Sequence, residues 1–247
     1  MKEVMDNFSK GAAEYVAFRP LSPEGIFDFL YAHTYSFGQA WDCGTGNGQV
    51  AARLAERFSK VYGTDISKEQ LALAVQKDNI TYRVERPEQT SLSDRSIDLV
   101  TVAQAIHWFD LNNFYKEVKR VAKPGALIAA WTYTTPGVTP AIDKVIAHLY
   151  EDITGPYWDP QRRLVDAGYA TIPFPFDELV VPELNIKQQW NISQLLGYLR
   201  TWSGVQHYMK KEQHDPVSLI EADLQKAWGN EELLEVYWPV RARVGRV

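Results

Sequence analysis

The segment with the clearest chemical character is Asp42-Cys43-Gly44-Thr45-Gly46-Asn47-Gly48, which joins an apolar strand-like run to a helical pattern. A turn of this kind brings backbone N–H groups and the start of a helix against a ligand. Glycine is needed where a Cβ atom would block that approach or where φ must be positive. The turn therefore predicts a ligand-binding site at the end of the first strand.

The spacing of the glycines separates two classes of cofactor. A dinucleotide fingerprint reads G-x-G-x-x-G, whereas Gly44, Gly46 and Gly48 follow G-x-G-x-G and Gln49 stands at the dinucleotide position. Asp42 lies two residues before the first glycine, and a carboxylate there suits an ammonium group better than a pyrophosphate. S-adenosylmethionine (SAM) carries such an ammonium group and NAD does not, so the turn favours SAM.

A second acid ends the next strand-like run. Asp65 closes Val61-Tyr62-Gly63-Thr64-Asp65 and follows Gly44 by 21 residues. An acid at this place can accept hydrogen bonds from both hydroxyls of a ribose. NAD enzymes place an acid similarly, so the preference for SAM comes from Asp65 in combination with the glycine spacing.

The elements that must position these residues alternate between strand and helix from about residue 39 to 135. The strand-like runs are QAWDCG, KVYGTD, ITYRVE, SIDLVTVAQA and ALIAAWTY, and ELNIKQQWN and LEVYWPVRARV follow later in the chain. The helical patterns include SKEQLALAVQK between the second and third strands and, beyond the core, a stretch from about Ile192 to Met209. Such alternation implies βαβ crossovers. We expect an α/β fold with a Rossmann-like, doubly wound, seven-stranded sheet, mostly parallel with an antiparallel closing strand, plus helical cap elements. The expected organisation is an N-terminal helical lid at 1–38, a SAM-binding core at 39–135, and a helical and aromatic substrate cover at 136–247 that includes the closing strands of the same sheet.

Composition narrows the function classes. The 247 residues carry a formal net charge of −5, whereas nucleic-acid binders usually show a basic patch, so we expect no nucleic-acid partner. Cys43 is the only cysteine, which excludes an internal disulfide and a zinc site built on several thiolates. Signal-peptide and membrane-spanning patterns are lacking, so we expect a cytoplasmic protein without a membrane partner. The sequence leaves the oligomeric state open.

The motifs between residues 39 and 135 resemble those of class I SAM-dependent methyltransferases, in particular the type 11 methyltransferase domain. The resemblance implies that the glycine turn holds the methionine part of SAM, that the acid after the second strand holds the ribose, and that Glu88 borders the adenine. Pro87 stands where the family often has alanine. The end of the fourth strand would flank the methyl-donor sulfur, and S-adenosylhomocysteine would be the product. The implied cofactor-binding residues are Asp42, Gly44, Thr45, Gly46, Gly48, Asp65, Ile66, Glu88 and Gln104.

A narrower resemblance involves Gln104-Ala105-Ile106-His107-Trp108-Phe109-Asp110 together with Phe8, Tyr15 and Arg19-Pro20. These residues are similar to a subgroup that includes fungal trans-aconitate methyltransferase. The best-known members of that subgroup methylate small carboxylic acids. The resemblance therefore implies a small-molecule acceptor, with a carboxylate that becomes a methyl ester as the leading hypothesis.

The candidate substrate-binding residues are Tyr15, Arg19, His107 and Trp108. A guanidinium such as that of Arg19 can bind a carboxylate through two parallel hydrogen bonds. His107 follows the fourth strand, where it could act as a catalytic base, donate a hydrogen bond to a carboxylate, or simply pack beside Trp108. An alcohol or carbon acceptor would need a base, so O- or C-methylation with His107 as the base is the alternative, and a SAM-binding protein without catalysis is another. The sequence shows no His/Asp cluster with metal-ligand spacing, so no metal is expected.

Overall fold

The computed structural model describes residues 18–247, which form a mixed sheet flanked by helices. The strands are β1 (Gln39–Cys43), β2 (Lys60–Asp65), β3 (Ile80–Val84), β4 (Ile97–Ala103), β5 (Ala122–Tyr133), β6 (Asp177–Leu179), β7 (Leu184–Trp190) and β8 (Leu234–Arg246). The α-helices from residue 24 onward are α1 (Glu24–His33), α2 (Gln49–Leu54), α3 (Lys68–Ala72), α4 (Leu111–Val121), α5 (Pro140–Ala147), α6 (Arg162–Asp166), α7 (Ile192–Arg200), α8 (Ser203–Glu212) and α9 (Glu221–Trp228). None of the helices within 18–247 has the length and apolar character needed to cross a lipid bilayer.

The strand order is β3-β2-β1-β4-β5-β8-β6, and β7 also pairs with β8. Strands β1 to β5 are parallel, and β8 runs antiparallel to β5, β6 and β7. Because β6 and β7 pair with different parts of the same edge of β8, eight strands occupy seven positions. This confirms the predicted Rossmann-like sheet with one antiparallel closing strand, and β6 is the short strand that the sequence did not predict.

Burial explains why the central strands read as continuous apolar runs. From Ile97 to Val102 every residue of β4 is buried, including Asp98 and Thr101, since helices cover both faces of the sheet. One apolar cluster fills the face that carries Trp131 and Trp238, and a second fills the face that carries Trp41 and Phe114. The two faces hold the strands in register, so the loops at their carboxyl ends have fixed starting points.

The topology reverses at β1, which lies between β2 and β4. Chain segments that leave the carboxyl ends of these strands therefore diverge and open a crevice, which is where open α/β sheets bind ligands. The glycine turn, Asp65 and Gln104 all lie at this edge of the sheet.

Two predicted helices differ from the structure. The helix expected for SKEQLALAVQK ends at Ala72, because the chain then turns so that the Val75 carbonyl accepts a hydrogen bond from Tyr82 Oη at 2.7 Å. The single helix expected from Ile192 to Met209 is two helices, α7 and α8, separated by an extended Trp202. That break buries the Trp202 indole against Tyr150 and Trp158.

Candidate functional site

A cavity opens at the carboxyl edge of the sheet, where β1, β2 and β4 end. The atom-free space of the cavity, with its open mouth included, is about 1520 Å³. Its wall includes the whole turn Asp42–Asn47 together with Asp65, Glu88 and Gln104.

The three glycines of the turn all have positive φ, but they differ in what surrounds them. A Cβ on Gly48 would lie 2.1 Å from Tyr82 Oη, and a Cβ on Gly44 would lie 2.6 Å from the Ala105 Cβ. A Cβ on Gly46 would meet nothing closer than 3.9 Å. Gly44 and Gly48 thus permit close packing inside the protein, whereas Gly46 lies on the open side of the turn.

Asp42 is buried at the base of this turn and accepts hydrogen bonds from two threonine hydroxyls. Thr45 Oγ1 donates to Oδ2 at 2.5 Å, and Thr101 Oγ1 donates to Oδ1 at 2.8 Å. Burial raises the pKa of Asp42 from 3.8 to about 6, and the two hydroxyls oppose that shift. Asp42 is therefore a costly buried charge that ties the turn to β4.

Asp65 ends β2 and holds two backbone amides at the cavity edge. Its Oδ2 accepts from the Gly46 N–H and its Oδ1 accepts from the Ser67 N–H, each at 2.9 Å. These bonds fix the carboxylate between the glycine turn and the start of α3. Ile66, the next residue, is 40% exposed and also lines the cavity.

Glu88 forms the wall beyond Asp65. Its Oε1 accepts a hydrogen bond from the Asp110 N–H at 3.1 Å. Its Oε2 is buried, lies 3.5 Å from Arg86 Nε, and has no hydrogen-bond partner among residues 18–247. A buried acceptor without a hydrogen-bond partner suits a ligand that carries an N–H or O–H group.

Arg19 and four apolar or aromatic side chains form another part of the wall. Arg19 Nη1 donates to Tyr133 Oη at 3.3 Å, and Nη2 donates to the Thr201 carbonyl at 3.0 Å. The other side chains of this part are Trp108, Trp131, Tyr133 and Ile186. This part of the cavity, hereafter the Arg19 pocket, combines a cation with a largely apolar surface.

His107 does not line the cavity, although the sequence places it at the ligand edge of the sheet. Its Nδ1 lies 2.9 Å from Tyr169 Oη, and its ring stacks at a tilt against Trp108 with centroids 5.0 Å apart. Burial, helped by the charge of Arg162, lowers the pKa of His107 to about 3. The short helical turn Ile106–Trp108 places Trp108 at the cavity and His107 against Tyr169, so contact between His107 and a substrate stays a prediction that this geometry does not support.

The remaining predicted residues divide simply. Most of the predicted site residues line one cavity: Arg19, Asp42, Gly44, Thr45, Gly46, Asp65, Ile66, Glu88, Gln104 and Trp108. Gly48 does not line it but supports the turn against Tyr82. Tyr15 lies outside the described residues.

Comparison with known proteins agrees with this geometry. A methyltransferase domain family matches residues 41–130. A Dictyostelium discoideum protein named as a methyltransferase is 32% identical over 243 residues, which cover 95% of this chain and 92% of that protein. The chain belongs to the class I SAM-dependent methyltransferases.

Solved structures of other methyltransferases match this chain over most of its length. A type II methyltransferase from Anaeromyxobacter dehalogenans superposes with a TM-score of 0.87 at 42% identity, covering 93% of this chain and 98% of that one. A Bacillus halodurans methyltransferase, at 16% identity and a TM-score of 0.52 over 91% of this chain and 99% of that one, shares the fold alone. SAM is therefore the cofactor of this methyltransferase, and the cavity fits it: the turn offers an open glycine, Asp65 offers acceptors, and Glu88 offers a further one.

Several cavity residues were missed from the sequence. Trp131 and Tyr133 alternate at the carboxyl end of β5, a period-two signal that could have identified them. Ile186 lines the cavity from β7, and Thr101 of mid-strand β4 lies behind the wall, where it donates to Asp42; neither position carries a local signal in the sequence. They reach the site only because β7 pairs along β8 and β4 lies beside β1.

Proposed function

We propose that this methyltransferase transfers the methyl group of SAM to a carboxylate oxygen of a small organic acid and so forms a methyl ester. The observation that carries the proposal is the Arg19 pocket, which opens from the same cavity as the glycine turn. An acceptor anion in this pocket would lie within one continuous space with the cofactor.

The cofactor is assigned to the part of the cavity nearest the glycine turn. We assign its methionine part to the turn from Asp42 to Gly48, its ribose to Asp65 and Ile66, and its adenine to the wall at Glu88. The buried Glu88 Oε2 would accept a hydrogen bond from the adenine amino group, which supports this direction. When bound, SAM supplies a methyl group on a cationic sulfur, so the leaving group is neutral.

The Arg19 pocket suits an anion with an apolar body. A guanidinium binds a carboxylate through parallel N–H···O bonds, and Tyr133 Oη adds a hydroxyl beside it. Trp108, Trp131 and Ile186 would enclose the carbon skeleton. The protein's main contribution is then orientation, because reacting atoms must be held at roughly 3–3.5 Å in line.

A carboxylate acceptor also needs no general base, since a carboxyl group in water has a pKa of about 4 and is ionised at neutral pH. This agrees with the position of His107, which contacts Tyr169 outside the cavity wall. The alternative of O- or C-methylation with His107 as the base has no support from this geometry. The similarity of residues 104–110 to the trans-aconitate methyltransferase subgroup also favours a small acid.

The segment that precedes β1 is proposed to close the cavity as a lid. Arg19, Pro20 and Ser22 line the cavity, and Ser22 Oγ accepts a hydrogen bond from Trp131 Nε1 at 3.0 Å. Phe18 lies so close to Gly197 that a Cβ there would be 2.7 Å from its ring. The segment is thereby tied to both β5 and α7, and its closure would exclude water from the reacting groups.

Labelled SAM and a panel of small carboxylic acids, alcohols, phenols and carbon acids provide the test. We expect label in base-labile methyl esters. In Arg19→Lys, which keeps the charge and loses the fork of donors, the KM for the acid should rise about tenfold, while the affinity for S-adenosylhomocysteine stays within about twofold. Label only in ethers or on carbon would exclude the ester proposal.

A further inference from the structure

Gln104 combines an unusual backbone with an unusual side chain. Its φ is +56°, in the left-handed region that a residue with a Cβ seldom adopts. The chain holds this conformation immediately after β4, and the Gln104 N–H donates to the Trp131 carbonyl at 2.9 Å. Backbone outliers of this kind concentrate where a side chain must point in one direction for function.

The left-handed backbone directs the Gln104 carboxamide along the cavity wall. Its Oε1 accepts a hydrogen bond from the fully buried Thr132 Oγ1 at 2.8 Å. Its Nε2 is buried and has no hydrogen-bond partner among residues 18–247. A buried donor without a partner costs free energy, and a ligand in the cavity that Gln104 lines would remove that cost.

A chain of polar contacts behind the wall extends from Thr132, which holds the carboxamide by its oxygen. The Thr132 hydroxyl also contacts the phenol of Tyr169, and Tyr169 Oη lies 2.9 Å from His107 Nδ1. Both Thr132 and Tyr169 are buried, so water does not compete for these groups.

Thr132 Oγ1 donates its hydroxyl proton to Gln104 Oε1, and its oxygen can accept a hydrogen bond from the neighbouring Tyr169 phenol. His107 Nδ1 lies within hydrogen-bond distance of Tyr169 Oη, and burial lowers the pKa of His107 to about 3, so this imidazole is neutral at pH 7. With Oε1 held by Thr132, the Nε2 protons of Gln104 are left without a partner among residues 18–247.

We propose that Gln104 determines acceptor specificity by donating its Nε2–H to an oxygen of the methyl acceptor, and that Thr132, Tyr169 and His107 are positioning residues that orient this amide. The inference rests on the proposed carboxylate acceptor and assigns it a second contact besides Arg19. A donor at this place favours an anionic oxygen and disfavours an ammonium group. His107 thus gains a role that does not require it to touch the substrate.

Two matched pairs of variants test the chain, using the acid that the labelled-SAM panel identifies. Thr132→Val removes the hydroxyl and Thr132→Ser keeps it. Tyr169→Phe removes a phenol of the chain, whereas Tyr115→Phe removes another phenol of the same apolar cluster, which donates to the Pro173 carbonyl at 2.6 Å. We expect Thr132→Val and Tyr169→Phe to raise the KM for the acid about tenfold, with KM values for Thr132→Ser and Tyr115→Phe within about threefold of the parent protein.

Gln104→Gly separates loss of the amide from loss of folding. Glycine adopts a positive φ without strain, which offsets the loss of the hydrogen bond from Thr132, so the melting temperature of this variant should stay close to that of the parent protein while the KM for the acid rises. Affinity for S-adenosylhomocysteine, measured by calorimetry, should stay within about twofold in the Thr132, Tyr169 and Tyr115 variants.

Equal KM values within each matched pair, or an unchanged KM in Gln104→Gly, would overturn the role of Gln104 and leave the ester-forming function intact. A parent protein that methylates none of the acids would instead refute the proposed function, and the Gln104 assignment with it.

Discussion

Replacement of Asp42 by asparagine should stabilise the protein without cofactor and weaken its binding of SAM. Asparagine has the shape of the protonated carboxyl and can still pair with the hydroxyls of Thr45 and Thr101, which hold Asp42 at 2.5 and 2.8 Å. It carries no charge, so the desolvation that dominates the environment of Asp42 no longer opposes folding.

The magnitude follows from the pKa of the buried carboxyl. A rise from 3.8 to about 6 corresponds to about 3 kcal/mol between the charged and neutral forms. Because the folded-state pKa lies above the unfolded one, the folded protein binds more protons between these values, and stability falls as the pH rises through them. The loss of stability from ionisation of Asp42 is therefore absent below about pH 4 and complete above about pH 6. The Asp42→Asn variant does not show this loss, because asparagine does not ionise.

Urea unfolding of the parent protein and the variant at several pH values between 4 and 7 isolates the contribution of the Asp42 carboxyl to stability, because all other titratable groups are the same in both proteins. The variant should match the parent near pH 4 and exceed it at pH 7 by about 1–3 kcal/mol, since asparagine reproduces the hydrogen bonds imperfectly. Calorimetry at pH 7 should show SAM binding weakened by about 1.5–3 kcal/mol if the carboxylate interacts with the ammonium group. A stability difference that does not change with pH would refute the reasoning.

Three further substitutions have outcomes fixed by the same structure. Asp65→Ala should weaken SAM binding by about 1.5–3 kcal/mol and lower stability by about 1 kcal/mol, because Gly46 and Ser67 lose their acceptor; calorimetry and urea unfolding measure the two effects, and unchanged SAM affinity would contradict the ribose assignment. Gly48→Ala should lower the free energy of unfolding by about 2–4 kcal/mol, because the new Cβ would lie 2.1 Å from Tyr82 Oη. The control Gly46→Ala should lower it by only about 1 kcal/mol. Equal losses in urea unfolding would show that backbone strain alone is responsible. His107→Ala should reduce kcat far less than the roughly 10²–10⁴-fold expected for a general base, and a loss of that size in single-turnover kinetics would restore His107 to the chemistry.

Local signals in the sequence predicted the sheet and the glycine turn that lines the cavity. The spacing of Gly44, Gly46 and Gly48 is set by backbone conformation within seven residues, so φ and the approach of a ligand are already encoded in that stretch. The alternation of strands and helices predicted the sheet because burial on both faces leaves continuous apolar runs. The short β6 and the break at Trp202 were missed, because pairing with β8 and aromatic packing decide them rather than local propensity.

The residues of the proposed acceptor site were decided by tertiary structure. His107 and Trp108 are neighbours in sequence and equal candidates by motif, yet one short helical turn sends them to different places. Likewise, nothing in the sequence connects Gln104 with Thr132 or Tyr169. A sequence pattern specifies the local conformation of a residue within its own turn or strand. The direction of a side chain and the pairing of distant strands depend instead on the packed sheet. Side-chain direction and strand pairing together determine which groups line the cavity.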